Sequence, residues 1–173
     1  MEERFIKEFI EQSISVIDQN TPRIIRCMNG LEEEEIWTRP NNASNSVGNL
    51  ILHLCGNITQ YIISSLGKAP DVRERDKEFA ANGGYSKSEL IEKLNSTIEK
   101  AKGVIKEIDV DNLLKKRIVQ GFQYSGMGII IHVTEHYSYH TGQVAFWTKL
   151  LKNKDLGFYA DVDLNKKNEQ KDM

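Results

Sequence analysis

Helical periodicity with almost nothing to interrupt it is what most limits the folds open to this chain. Prolines occur only at Pro22, Pro40 and Pro70. Around them, apolar residues recur every three or four positions, the spacing that gathers side chains on one face of an α-helix. Phe5, Ile6, Phe9, Ile10, Ile14 and Ile17, continued by Ile24, Ile25 and Met28, predict a first helix over residues 2–29. Proline lacks an N–H and crowds the turn before it, so a kink is expected near Thr21-Pro22, and Gly30 is a natural stop. Residues 31–37 predict a short solvated helical turn anchored by Trp37, and 39–46 a loop. Leu50, Leu54, Ile58, Tyr61 and Ile62 mark a second long helix, capped by Asn45 or Ser46 and ended by Gly67. Residues 68–85 read as a long connection. Ser86 and Glu89 form a capping box that opens a third helix, with Leu90, Leu94, Ile98, Ala101 and Ile105 on its inner face. Arg117–Tyr124 reads as extended chain that could close into a short hairpin, and Ser125 opens a last helix over about 127–152.

Four long helices in 173 residues predict an all-α fold, an antiparallel four-helix bundle with a short extended segment before the last helix. Residues 1–153 are expected to form that one domain, and 154–173 a loosely packed C-terminal tail. Length alone allows a substantial core without disulfides.

Charge and composition exclude several classes of function. With 23 basic and 25 acidic residues and a net charge of −2, nothing favours nucleic acid or an anionic membrane surface. No apolar run approaches the roughly 20 residues that span a bilayer. The acidic start Met1-Glu2-Glu3-Arg4-Phe5 is unlike a secretory signal. Cys27 and Cys55 are far apart and form no Cys-x-x-Cys pair, so a reduced, cytoplasmic protein is expected.

Three of the four histidines, His132, His136 and His140, lie within nine residues at four-residue spacing. Residues four apart on a helix stand nearly above one another, so neighbouring imidazoles here can converge on one ion. The inner stripe of this helix runs through Ile129, Val133, His136, His140, Gln143 or Val144, and Trp147. That stripe makes His136 and His140 the expected ligands. His132 drifts about 80° from His140, because each four-residue step rotates about 40°, and is expected beside the site or at its mouth. His53, flanked by Leu52 and Leu54 in the second helix, would be costly to bury without a hydrogen bond or a metal. Any one of these could be an ordinary satisfied core histidine. Two inward histidines plus a third on another helix instead suggest a three-nitrogen site with an open position. No His-Glu-x-x-His is present, since Glu135 directly precedes His136, so that type of metalloprotease is disfavoured.

The segment Ile131–Trp147, with His136, His140, Gly142 and Gln143, resembles the last-helix motif of the DinB/YfiT-like superfamily. Asn45–Leu54, with His53, resembles that family's second-helix motif. Trp37-x-x-Pro40 and Arg73-x-Arg75-Asp76-x-x-Phe79 fit the same pattern, in the same order, and the likeness runs to about residue 152. The resemblance implies a bacterial metal-binding four-helix bundle, often a homodimer, with a divalent ion held by His53, His136 and His140. It also implies a small-molecule substrate, since some members are transferases or isomerases using low-molecular-weight thiols such as bacillithiol or mycothiol.

Three neutral imidazoles leave an ion's charge largely uncompensated, so bound water falls from a pKa of about 15.7 toward roughly 7 and a coordinated thiol loses its proton. Zn²⁺ suits imidazole and a tetrahedral site with one open vertex; Ni²⁺, Mn²⁺ and Fe²⁺ are alternatives. The expected function is a divalent-metal-binding protein acting as a metal-dependent thiol S-transferase. The rival readings are a non-catalytic, stress-associated metal-binding bundle and a metal-assisted hydrolase. Asn57, His132 and Gln143 are candidate pocket residues, as is Gln60, although an ordinary polar face explains Asn57 and Gln60 equally well. Tyr137 and Tyr139 are core or pocket wall. Arg73 and Arg75 are read as part of a solvated charge cluster unless they meet a substrate carboxylate, and Cys55 as a small buried apolar residue.

Overall fold

The computed structural model describes residues 2–168. Four long helices carry the bundle: α1 (Glu2–Asn29), α3 (Val47–Ile58), α5 (Lys87–Lys106) and α7 (Gly126–Lys152). Between them lie the short helices α2 (Glu33–Ile36), α4 (Arg75–Ala80) and α6 (Val110–Leu114), and a hairpin of β1 (Lys116–Val119) and β2 (Phe122–Ser125). The expected hairpin is therefore present, antiparallel, with Val119 facing Phe122 across the turn. The bundle is the expected all-α architecture. The last residues of the expected C-terminal tail, 169–173, lie outside the described residues.

The apolar stripes read from the sequence are the core. Leu50, Leu54, Ile58, Tyr61 and Ile62 from the second helical stretch, and Leu90, Leu94, Ile98, Ala101 and Ile105 from α5, are all buried. α1 runs continuously through Pro22, whose ring sits on the exposed side. Asn20 and Thr21 beside it face inward and bond Ser138 and Tyr137 of α7 at 3.0 and 2.9 Å. The second helix departs from regular geometry. After Ile58 it widens into a π-type turn over Thr59–Ser64, with Ser65 N–H reaching Gln60 O and Gly67 N–H reaching Ile62 O. Such widened turns often sit at functional sites.

Helix directions follow from these pairings. His53 meets His136 and His140 while Tyr61 meets His132, so α3 and α7 run antiparallel. Asp18 pairs with Lys102 and Leu31 with Lys87, so α1 and α5 do too. Cys55 and Thr97 line one cavity, and Gly67 abuts Val104 farther along, so α3 and α5 are parallel neighbours. Parallel neighbours cannot be joined by a tight turn, which is why residues 68–85 form a long crossover. That crossover is not mere connection: it contains α4 and lies across α3.

After α7 the chain turns through Asn153 in the left-handed conformation, a common helix stop. Leu156 and Phe158 then pack on the core, and Arg26 of α1 donates to the carbonyls of Leu156 and Gly157 at 3.1 and 2.7 Å.

Candidate metal centre

His53 owes its position to the rigidity of α3. Ser46 caps the helix: its Oγ accepts from Asn49 N–H at 3.1 Å, and Asn49 Oδ1 accepts from Ser46 N–H at 3.1 Å. The amide nitrogen of Asn49 then donates to the carbonyls of Glu78 (2.9 Å) and Ala81 (2.7 Å), binding α4 to α3. Almost every residue of α3 is buried, and His53 is 6 % exposed. His136 and His140 come from successive turns of α7.

The structure brings His53, His136 and His140 together, with one nitrogen of each ring within 4.8 Å of the others. His53 Nε2 lies 2.9 Å from His136 Nε2, and the His136 and His140 ring centroids are 4.4 Å apart. The donors therefore belong to two helices and converge from different directions. His132 is not one of the three. It stacks on His136 at 5.4 Å and sits against Tyr61 and Tyr124.

Tautomer and charge can be read from the partners. Gln143 Oε1 lies 2.7 Å from His140 Nδ1, and the same amide donates to Tyr139 Oη at 3.1 Å. An amide oxygen only accepts, so His140 carries its proton on Nδ1 and presents the lone pair of Nε2. Burial, then the neighbouring His140, His53 and His132 rings and Arg73, push His136 down to about 3. Burial also pushes His140 down to about 4, against the opposing effect of the Gln143 bond. Both rings are neutral at physiological pH, the form that ligates metal. Three imidazole donors suit a borderline cation such as Zn²⁺, so the residues present fit a divalent ion.

Behind His53 lies a buried ion pair. Arg73 Nε and Nη2 donate to the two oxygens of Glu78, each at 2.8 Å, and Nη1 donates to Gln60 Oε1 at 3.0 Å. The Arg73 side chain is only 2 % exposed, so it is not a solvated cluster residue: a bidentate carboxylate compensates its burial. Burial alone would raise Glu78, but the Arg73 and His53 hydrogen bonds outweigh it and hold the carboxyl below its usual range. Arg75 does remain at the surface, its guanidinium over the Phe79 ring at 4.7 Å.

Phe79, the last residue of the Arg73–Phe79 motif, lies with its ring centroid 4.7 Å from that of His53, whereas Glu78 escapes sequence reasoning because α4 falls inside what reads as connection. One local signal was available. Gly56 stands on a packed helix one turn after His53, where a Cβ would overlap Glu78 Oε1. The glycine marks a close approach by something bulky.

The remaining candidates separate clearly. Asn57 is 4 % exposed and its Oδ1 has no protein partner. Gln60 is engaged by Arg73 and by Asp71. Tyr137 is core, bonded to Thr21, whereas Tyr139 is exposed. Cys55 is buried, and burial pushes its thiol up to about 11, so it is inert. A cavity of about 350 Å³ is lined by Gly56, Arg73, Glu78, Lys93 and Thr97, among others, but by none of the histidines.

A family described as "Protein of unknown function (DUF1572)" matches residues 4–160. No curated protein matches the chain. Among solved structures, a conserved protein from Enterococcus faecalis superposes with a TM-score of 0.71 at 17% identity, covering 83% of this chain and 97% of that one. The DinB-like protein YjoA of Bacillus subtilis gives 0.64 at 12% identity, covering 83% and 94%. A mutant of a mycothiol-dependent maleylpyruvate isomerase also gives 0.64 at 12% identity, covering 78% of this chain and 60% of that enzyme.

Proposed function

Because this chain belongs to the DUF1572 family and has the fold of DinB-like proteins, we propose that it binds a divalent metal ion, Zn²⁺ first among candidates, and uses it as a thiol S-transferase. The observation that carries the reading is the convergence of His53, His136 and His140, imidazole donors from two helices, within 4.8 Å. Those three residues would hold the ion. Bound there, it would act as a Lewis acid that turns a low-molecular-weight thiol into its thiolate near neutral pH.

The chain's own residues supply the rest. Gln143 holds His140 in one tautomer, and the Arg73–Glu78 pair holds the back of His53. Thiol transfer forms a sulfur–carbon bond as the bond from carbon to the leaving group breaks, with the thiol proton passing to solvent. Asn57, His132 and Gln143 are the proposed pocket residues. The mycothiol-dependent neighbour supports a thiol as co-substrate. The carboxylate behind His53, Glu78, is engaged by Arg73 and so is not free to serve a hydrolase. No helix among the described residues is long and apolar enough to cross a membrane. The buried, unpaired Cys27 and Cys55 support a reducing, cytoplasmic location. A homodimer is the proposed assembly, which light scattering would check.

The test pairs metal analysis with turnover. Purified protein should carry about one divalent ion per chain, His136→Ala should lose it, and the loaded protein should consume bacillithiol or mycothiol in the presence of reactive electrophiles. Full metal content in His136→Ala would overturn the site. Metal binding without turnover across such panels would leave a non-catalytic metal-binding bundle.

A further inference from the structure

The solvent side of α7 carries a continuous apolar strip. Ile131, Tyr139, Phe146 and Leu150 are each between 53 and 69 % exposed. At about 100° per residue they fall within one arc of roughly 100°, which extends about 28 Å along the helix. Apolar surface gathered in this way, rather than scattered singly, marks a contact with another molecule.

Gly142 lies near the middle of the same arc. A glycine inside a helix weakens it relative to alanine. Here no side chain and no other element comes within 4 Å of where a Cβ would stand. Nothing within the protomer therefore asks for a glycine at this position, whereas the close approach of a second backbone does.

The charges on the face are symmetric about that glycine. Glu135 stands seven residues before it and Lys149 seven after, and both are exposed. Neither has an ion-pair partner among the described residues. An antiparallel second α7, crossing at Gly142 at about 20°, brings the Glu135 of each copy toward the Lys149 of the other. A two-fold axis repeats every contact, so equal spacing on either side of one residue is what self-association requires. An unrelated partner has no need of it.

We propose that a second copy of this chain packs on this face, α7 against α7 and antiparallel, about a two-fold axis at Gly142. The inference rests on the homodimer reading above and names its surface. The contact also reaches the edge of the metal centre. Gln143, at the margin of the strip, donates to Tyr139 Oη and is bonded to His140 Nδ1. A groove of about 480 Å³ between α7 and residues 40–45 is lined by Gln143, Phe146 and Trp147, among others. The partner's Tyr139 comes opposite Ala145, at the side of that groove.

Sedimentation equilibrium of the full-length chain tests this with a charge-reversal cycle. The wild type should be a dimer. Glu135→Lys and Lys149→Glu should each weaken it by at least about 10-fold, because like charges then face one another twice. The double variant restores opposite charges and should return to within about 3-fold of wild type. Gly142→Arg favours the helix, so it should keep its helical circular dichroism while becoming monomeric. Wild-type dimer affinity in Gly142→Arg, or a double variant no tighter than the single ones, overturns this face and leaves a homodimer built on another. A wild type that is monomeric throughout overturns the homodimer reading itself, and flotation of that monomer with phosphatidylcholine vesicles would give the face to a lipid surface instead.

Discussion

At the scale of single residues, the histidines were legible and their partners were not. Four-residue spacing and an apolar stripe are local properties, so His136 and His140 can be picked out from α7 alone, and an isolated His53 between leucines marks a second contributor. Glu78 reaches His53 from 25 positions along the chain, and no local pattern encodes that. Arg73 looked like a solvated charge for the same reason: its acceptor could be identified only once α4 lay on α3. The depressed pKa values of His136 and His140 make a prediction for the metal-free protein. An unfolded histidine takes a proton near pH 6.5, whereas these rings stay neutral down to about 3 and about 4. The unfolded state therefore binds more protons within that window, so stability is fully present above about pH 6.5 and falls as the pH drops toward the folded values. Urea midpoints measured from pH 7.5 to 4 should decline without metal, and less steeply in His136→Gln. A flat profile in the wild type would contradict the burial of these rings.

At the scale of elements, the long helices were readable because each carries several turns of periodic apolar residues, and α3, α5 and α7 also open on a serine cap. The short helices α4 and α6 were not, since 5 or 6 residues cannot sustain a helix without packing, and packing is not a local signal. The π-type turn at Thr59–Ser64 escaped for a related reason: an inserted residue shifts the stripe without erasing it. Two capping boxes allow a controlled comparison. Ser46 and Ser86 each accept from the N–H three residues on, but only the first helix carries a candidate ligand. Ser46→Ala and Ser86→Ala should each cost about 1 kcal/mol, lowering Tm by roughly 2–4 °C in a chain of this size. Zn²⁺ affinity should drop in Ser46→Ala alone, because Asn49 also ties α4 to the helix that presents His53. Equal affinity in both variants would show that the cap does not govern the site.

At the scale of the whole molecule, the parallel course of α3 and α5 forces a crossover, and the crossover supplies the wall behind His53. Topology and chemistry are linked through residues 68–85: the segment needed to connect two parallel helices is the one that delivers Arg73, Glu78 and Phe79. Few apolar residues hold it down; Val72 is 77 % exposed, and its ties to the bundle are largely polar, with Asn49, Arg39 and Trp37 donating to its carbonyls and Gln60 bonding Asp71 and Arg73. Segments held by few buried contacts open locally at small free-energy cost. A ligand that binds only the closed arrangement stabilises it by mass action, about 2.7 kcal/mol at a hundredfold excess over Kd. Adding Zn²⁺ should therefore slow amide exchange in three separated stretches together: around His53, across 73–81, and around His136–His140. Exchange in the first turns of α1 and in α6, which touch none of these residues, should not change. A chelator should reverse the effect. If only the histidine-bearing turns respond while 73–81 exchanges at its metal-free rate, the crossover is packing that happens to lie near the site, and its grip on His53 has no part in binding the ion.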